Sequence, residues 1–277
     1  MPELPEVQTV VNDLNKYLVG YKISKVFIYP KYKKINPASL RFKKLLSGKI
    51  VGGVKRVSKN IIVKLNSGSF LLIHLGMGGR IFLLSPNSPN DKWTRVSFIL
   101  TKGRDKKKLL FSDTRMFGKV AFISKKELEL LKNKYGPDPT QLDLTSKDFH
   151  QIIQNKKTII KNVLMNQEII SGLGNIYATD ALFLSKIHPQ TPANKINLAL
   201  AKTLLDSVRK VLEEGIKNRG STLTDKAYLD ILGNEGSHQN HFKIYLKQTC
   251  PVCKTKVSYI KISGRGTYFC SNCQKLE

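Results

Sequence analysis

Residues 249–275 read TCPVCKTKVSYIKISGRGTYFCSNCQK, and this stretch holds all four cysteines of a 277-residue chain. Cys250 and Cys253 form one Cys-x-x-Cys pair, Cys270 and Cys273 a second, and 16 residues separate the two. Each pair puts two thiolates on one tight turn, and the stretch between is long enough for a β-hairpin that brings the pairs together. The spacing predicts one structural zinc ion on Cys250, Cys253, Cys270 and Cys273. Two disulfides in a secreted protein would use the same residues. The amino terminus, however, lacks the basic stretch and apolar run of a signal peptide.

Upstream of this hairpin the chain divides by periodicity. Residues 20–123 carry short runs rich in Val, Ile and Phe, among them SKVFIYP, NIIVKLNSG, SFLLIHLGMGG and WTRVSFILTKG, separated by Gly, Asn, Ser or Pro. Such spacing predicts an antiparallel sandwich or barrel. Ahead of it, VQTVVNDLNKYL has a helical rhythm, with Pro5 and Glu6 suited to a first turn. YGPDPTQLDLTSKD (135–148) has two prolines and no apolar period, and reads as a linker. Thr145 and Asp148 have capping-box spacing ahead of FHQIIQNKK. Helical periodicity continues through KTIIKNVLMNQ, IYATDALFLSK and NLALAKTLLDSVRKVLEEGIKN. Between two of these helices lies IISGLGNIYATD, where glycines allow close approach and free N–H groups at a helix start can bind phosphate.

Lys and Arg total 47 against 20 Asp and Glu, a net charge of +27. A surface that positive calls for a polyanionic partner, and nucleic acid is the first candidate. A lysine-rich proteome would also raise the charge, and charge does not separate DNA from RNA. No run of 18 or more apolar residues occurs, so no membrane span is expected, and the cytoplasm is the expected location.

The chain opens MPELPEV. Met1 is normally excised before a small residue, which leaves Pro2 with a secondary amine. An α-amino group titrates near 8, so roughly a tenth is unprotonated at neutral pH, against well under ~0.1% for an ordinary lysine. Such an amine can attack a sugar carbon and form an iminium, while Glu3 beside it supplies or accepts protons. A plain helix lead-in accounts for Pro5 and Glu6 without chemistry.

MPELPEV, HLGMGGR, DTRMFGKV, QEIISGLGNIYATDALF with IHP, and the Cys-x-x-Cys pairs around GRGTYFCSNCQ together resemble formamidopyrimidine-DNA glycosylases, in order along nearly the whole chain. The resemblance implies an α+β multidomain protein. It comprises an N-terminal antiparallel β-sandwich with an N-terminal helix (1–134), a linker (135–148), a helix–two-turn–helix DNA-binding domain with a lesion-capping loop (149–236) and a zinc-finger hairpin (237–277). The implied activity is base-excision repair of 8-oxoguanine and formamidopyrimidines in double-stranded DNA by a monomer. The strand is then nicked by β,δ-elimination, an abasic-site lyase reaction.

Residue by residue, the resemblance makes Pro2 the nucleophile and Glu3 the acid, with Lys59 and Arg265 supporting catalysis at the phosphates. His74, Lys157 and Asn175 match backbone contacts. Met77, Arg115 and Phe117 match the residues that fill the gap left by a flipped base. Ser221, Thr222, Leu223, Thr224, Asp225 and Lys226 match the loop over the lesion. Without the family, Lys59 reads as a solvated loop lysine, and His74 and Phe117 as sheet core. Four positions depart from the pattern. Gly76 and Gly78 stand where Arg and Glu are common, Trp93 replaces a histidine facing DNA, and Asn166 replaces an Asp. Two alternatives stay open: an oxidised-pyrimidine glycosylase of the endonuclease VIII type, and a zinc-containing DNA-binding relative without catalysis.

Overall fold

The computed structural model describes residues 2–29 and 32–276. Met1, on whose removal the reading of Pro2 depends, lies outside the described residues. The chain forms two compact units, residues 1–133 with 218–237, and residues 134–217 with 238–277.

The first unit opens with α1 (Leu4–Leu18), whose Leu4, Val7, Val11, Leu14 and Leu18 recur at helical spacing and are buried. There follow β1 (Lys22–Ile28), β2 (Ile35–Asn36), α2 (Ser39–Leu46), β3 (Val51–Val57), β4 (Asn60–Leu65), β5 (Phe70–His74), β6 (Gly79–Leu84), β7 (Thr94–Lys102), β8 (Asp105–Asp113), β9 (Lys119–Ile123) and α3 (Lys125–Lys132). They build a four-stranded sheet in the order β1-β7-β8-β6 and a five-stranded sheet in the order β2-β9-β5-β4-β3. Strand alternation sends Val96, Phe98 and Leu100 of β7 and Leu109 and Phe111 of β8 into one core with Leu14, Phe42, Ile61 and Ile73.

The sandwich is not wholly antiparallel, because β2 runs parallel to β9. The periodicity also passes over α2 and α3. Each is eight residues long, too short to establish a period, although Ser124 and Glu127 form a reciprocal capping box at α3.

The second unit contains α4 (Ser146–Gln154), α5 (Ile160–Met165), α6 (Asn175–Leu184), α7 (Leu198–Lys217) and a hairpin of β10 (Ser258–Ile262) and β11 (Arg265–Phe269). Residues Ile176 to Phe183 of α6 are all buried, so this helix is the unit's core. Against it packs the apolar face of α7, with Leu204, Leu205, Val208, Val211 and Leu212. Thr145 and Asp148 cap α4 reciprocally.

Two boundaries differ from the sequence reading. Residues 134–148 are part of the second unit rather than a free linker. The Gly136 N–H donates to the Gln167 carbonyl, the Ser171 N–H to the Pro137 carbonyl, and the Arg209 guanidinium to the carbonyls of Pro139 and Leu144. Residues 218–236 were expected with the helical domain, yet they fold with the sandwich. Arg219 bridges Asp13 of α1 and Asp230, an attachment that no local pattern announces. Among the described residues no helix is long and apolar enough to cross a membrane.

Candidate functional site

Pro2 and Glu3 are both buried at the start of α1, with Glu3 as its N-cap. Glu6 organises this corner. Its Oε2 accepts from the Glu3 N–H at 2.7 Å and its Oε1 from the Ser221 N–H at 2.8 Å. One carboxylate therefore splints the amino-terminal dipeptide to the loop that follows α7. Gly220 makes the approach possible. It lies at φ +78°, and a Cβ there would sit 2.8 Å from Glu6 Cγ.

The loop is shaped from within. Arg219 holds Asp13 and Asp230 at 2.6 and 2.7 Å. The Thr222 hydroxyl donates to the Tyr228 carbonyl and accepts from the Gly236 N–H. Ser221 and Thr222 are consequently buried and Leu223 is half-buried, while Thr224, Asp225 and Lys226 are exposed. Asp225 lies 3.8 Å from the Arg115 guanidinium, and Lys226 pairs with Glu235 at 2.7 Å.

Lys59 is buried rather than solvated, in the two-residue turn between β3 and β4, where Ser58 takes φ +53°. His74, opposite Asn60 on β5, is half-buried. Burial, reinforced by the charges of Lys59 and Lys119, holds its pKa below the usual imidazole value, so the ring is neutral at neutral pH.

Met77, Arg115 and Phe117 lie on two loops that meet backbone to backbone. The buried Asp113 carboxylate forms the second loop, accepting from the Arg115 N–H at 3.0 Å and the Gly118 N–H at 2.7 Å. Gly76, at φ +62°, lets the first loop approach. A Cβ there would be 2.7 Å from Gly118 N, and one on Gly78 would be 2.5 Å from Thr114 Oγ1. At 76 the obstacle is backbone, so a side chain there is excluded while the 114–118 loop holds this course; at 78 the nearest obstacle is a hydroxyl that must turn aside. Phe117 is 55 % exposed and is not sheet core; Met77 and Arg115 are exposed as well. Trp93 is exposed between Lys92 and Arg95, whose cationic groups lie 5.2 and 6.0 Å from its ring centroid.

In the second unit the Ser263–Gly264 turn, both residues at positive φ, presents an exposed Arg265 at the tip of the hairpin. Asn175, at the first turn of α6, donates through Nδ2 to the Gly266 carbonyl at 2.9 Å, so helix and hairpin are tied beside Arg265. Buried Lys161 of α5 donates to Thr267 Oγ1. Lys157 is exposed ahead of α5. The sequence reading gives Glu6 only a helix-start role and gives Asp113, Lys161 and Arg219 none. The only local signal among them is Glu6, three residues after Glu3 at the helix start.

The four cysteine sulfurs all lie within 4.8 Å of one another. Cys250 and Cys273 are 3.9 Å apart and Cys253 and Cys270 3.4 Å, close to the ~3.8 Å that tetrahedral Zn–S bonds of about 2.3 Å require. Burial and the three neighbouring sulfurs push the Cys273 thiol up to about 12, while hydrogen bonds with Thr255 pull Cys253 down to about 5, and a cation among the sulfurs would favour the thiolate form of both. The donor set fits zinc.

Comparisons with known proteins agree along the chain. The formamidopyrimidine-DNA glycosylase N-terminal domain family matches residues 1–120, and the H2TH domain family of the same enzymes matches residues 135–227. The zinc finger found in these enzymes and in IleRS matches residues 247–276. The curated formamidopyrimidine-DNA glycosylase of Mycoplasma mobile is 36 % identical over 282 residues, covering 100 % of each chain. That of Chloroflexus aurantiacus is 34 % identical over 276 residues, covering 99 % of this chain and 98 % of its own. Among solved structures, a Lactococcus lactis Fpg variant bound to DNA containing Fapy-dG superposes with a TM-score of 0.90 at 33 % identity, over 99 % of this chain and 100 % of that one. The Lactococcus enzyme bound to abasic-site DNA matches at the same identity and TM-score, over 99 % of each chain.

Proposed function

The chain belongs to the formamidopyrimidine-DNA glycosylase family, and from that premise we propose that Pro2 and Glu3 carry out its glycosylase and lyase chemistry on oxidised purines. The protein is a base-excision repair glycosylase that acts on damaged DNA. With Met1 removed, the Pro2 amine attacks C1′ of the damaged nucleotide. The C–N bond to the base breaks, the base leaves with its electron pair, and an iminium joins Pro2 to the opened sugar. Glu3 protonates the ring oxygen as the ring opens and takes part in the later proton transfers. The iminium acidifies C2′; loss of that proton expels the 3′ phosphate, and a second elimination expels the 5′ phosphate.

Around this step, Lys59 and Arg265 supply positive charge at the phosphates that flank the lesion, with Asn175 holding the hairpin that carries Arg265. His74 and Lys157 contact the backbone further along. Met77, Arg115 and Phe117 enter the stack that the flipped base vacates. Ser221–Lys226 closes on that base, and Trp93 faces the duplex. Zinc on Cys250, Cys253, Cys270 and Cys273 supplies a rigid cross-link at the base of the hairpin and takes no part in the chemistry. Fapy-dG and abasic-site DNA, bound by the Lactococcus enzyme, are the first substrates to offer.

The observation that carries this reading is the Glu6 splint, which places a buried Pro2–Glu3 pair one carboxylate away from the 219–236 loop. Borohydride trapping tests it. Untagged protein with Met1 removed is expected to give an adduct mapped to Pro2 on duplexes containing 8-oxoguanine or Fapy-dG. An N-terminal extension should abolish trapping and leave duplex affinity in place. Preferential trapping on an oxidised pyrimidine would transfer the chain to the sister specificity. No adduct from folded, zinc-loaded protein would leave a DNA-binding protein without this chemistry.

A further inference from the structure

On the outer face of the four-stranded sheet in the first unit, the strand register lines up cations. Lys25 of β1 stands opposite Ile99 of β7, and Ile99 stands opposite Lys108 of β8. The next row pairs Thr101 with Lys106. A register shift between Ile23 and Lys25 turns Ser24 to the same face, where its hydroxyl lies 2.6 Å from that of Thr101. These residues line a cavity of about 470 Å³, walled on one side by Pro86 and Asn87 of the loop between β6 and β7.

Lys108 is the anomaly. A lysine on an outer sheet face normally extends into water, yet this one is 6 % exposed. Its ammonium donates to the Ser88 carbonyl. An ammonium has three donors, and among the described residues no carboxylate is paired with this one. A buried cation without a counter-ion is unfavourable. None of the described residues lining the cavity is acidic, while three are lysines. The wall is fixed in place. The Ser112 hydroxyl donates to Asp91, and the Asn90 amide to the Tyr29 hydroxyl, which in turn meets Ser97.

The floor is apolar and aromatic. Phe27, one row along from Lys25 and opposite Ser97, is 44 % exposed at the edge of the cavity, and Ile99 lies between the two lysines. A bare inorganic anion would leave Phe27 and Ile99 unused, and a fatty acid would leave the hydroxyls of Ser24, Ser97 and Thr101 unused. Phosphate on lysines beside an aromatic face is the chemistry that binds a nucleotide, and the volume falls in the range of small-ligand sites.

We propose that this cavity binds a nucleotide through its terminal phosphate, on Lys25, Lys106 and Lys108, with the base over Phe27 and Ile99. The same unit can come from a free mononucleotide or from the 5′-phosphorylated end of a strand.

The test uses full-length, zinc-loaded protein already saturated with an unphosphorylated duplex containing an abasic-site analogue. Calorimetric titration with dTMP, with 5′-phosphorylated oligothymidylate and with thymidine separates the sources. We expect one phosphorylated ligand per chain and no comparable binding of thymidine. Binding should weaken about tenfold or more in K25E/K106E, as expected for loss of charge-assisted contacts, and in I99W, which fills the floor. Cleavage of damaged duplex should be unchanged in K25E/K106E, whose two side chains are exposed. Binding of the oligonucleotide alone assigns the site to strand ends; binding of both admits free nucleotides. Binding of neither, equal binding of thymidine, or undiminished binding by K25E/K106E overturns the proposal.

Discussion

Gly76 and Gly78 flank Met77 where the family pattern carries Arg and Glu, and the structure gives a steric reason for both. At 76 the obstacle is backbone, with Gly118 N and Phe117 C each 2.7 Å from a built Cβ, and φ is +62°. At 78 the nearest obstacle is the Thr114 hydroxyl, which can rotate away. Gly76→Ala should therefore cost about 2–4 kcal/mol and Gly78→Ala clearly less, an order that urea unfolding of the two variants checks. His238 sets a pH dependence. It is fully buried, stacked on Tyr177 at 5.2 Å, and both ring nitrogens lack partners among the described residues. Burial lowers its pKa from 6.5 to about 4. Below pH 6.5 the unfolded chain binds a proton that the folded chain refuses, so stability falls as pH drops from about 6.5 to 4. The full effect is on the order of 3 kcal/mol. His238→Phe keeps the ring stack and should flatten that part of the profile; identical acid profiles for the two proteins would rule this out.

At the level of elements, the loop between α7 and the hairpin is anchored at its base and open at its tip. Ser221 is held by Glu6 and Arg219 by two carboxylates, whereas Thr224, Asp225 and Lys226 face solvent. Hydrogen exchange should find the Ser221 amide protected and those of Thr224 and Asp225 fast. Arg219→Ala should release residues 218–237 while α1 and the sheets keep their protection. If protection of the loop survives that substitution, Glu6 alone carries the anchor. Much of this level is legible in the chain. The strand-like runs between residues 20 and 123 are strands, and the helical rhythms of α1 and α4–α7 are helices. What periodicity misses is short, such as α2 and α3, or is fixed from a distance, such as residues 134–148 packed through carbonyls that Arg209 satisfies.

For the molecule as a whole, division into two units makes zinc removal a local event. The cysteines of the hairpin share a small cluster with Phe183, Ile244 and Val257, and small metal-stapled elements lose their fold with the metal. A chelator should abolish the hairpin and weaken duplex binding while the unfolding transition of the sandwich unit stays in place. Simultaneous loss of both transitions would show that the units are not independent.

Four spaced cysteines, the alternating strands, the main helices and the Pro2–Glu3 start are all legible in the bare order of residues. These rest on covalent spacing and on periods of two and 3.6 residues, which neighbours in sequence define. It took long-range packing to bury Lys59, to leave Phe117 exposed, to bring Glu6 to Ser221, and to set Lys108 under a loop with no carboxylate paired to it among the described residues. Each of these depends on which groups far apart in the chain come within hydrogen-bond or van der Waals reach, and no local pattern encodes that.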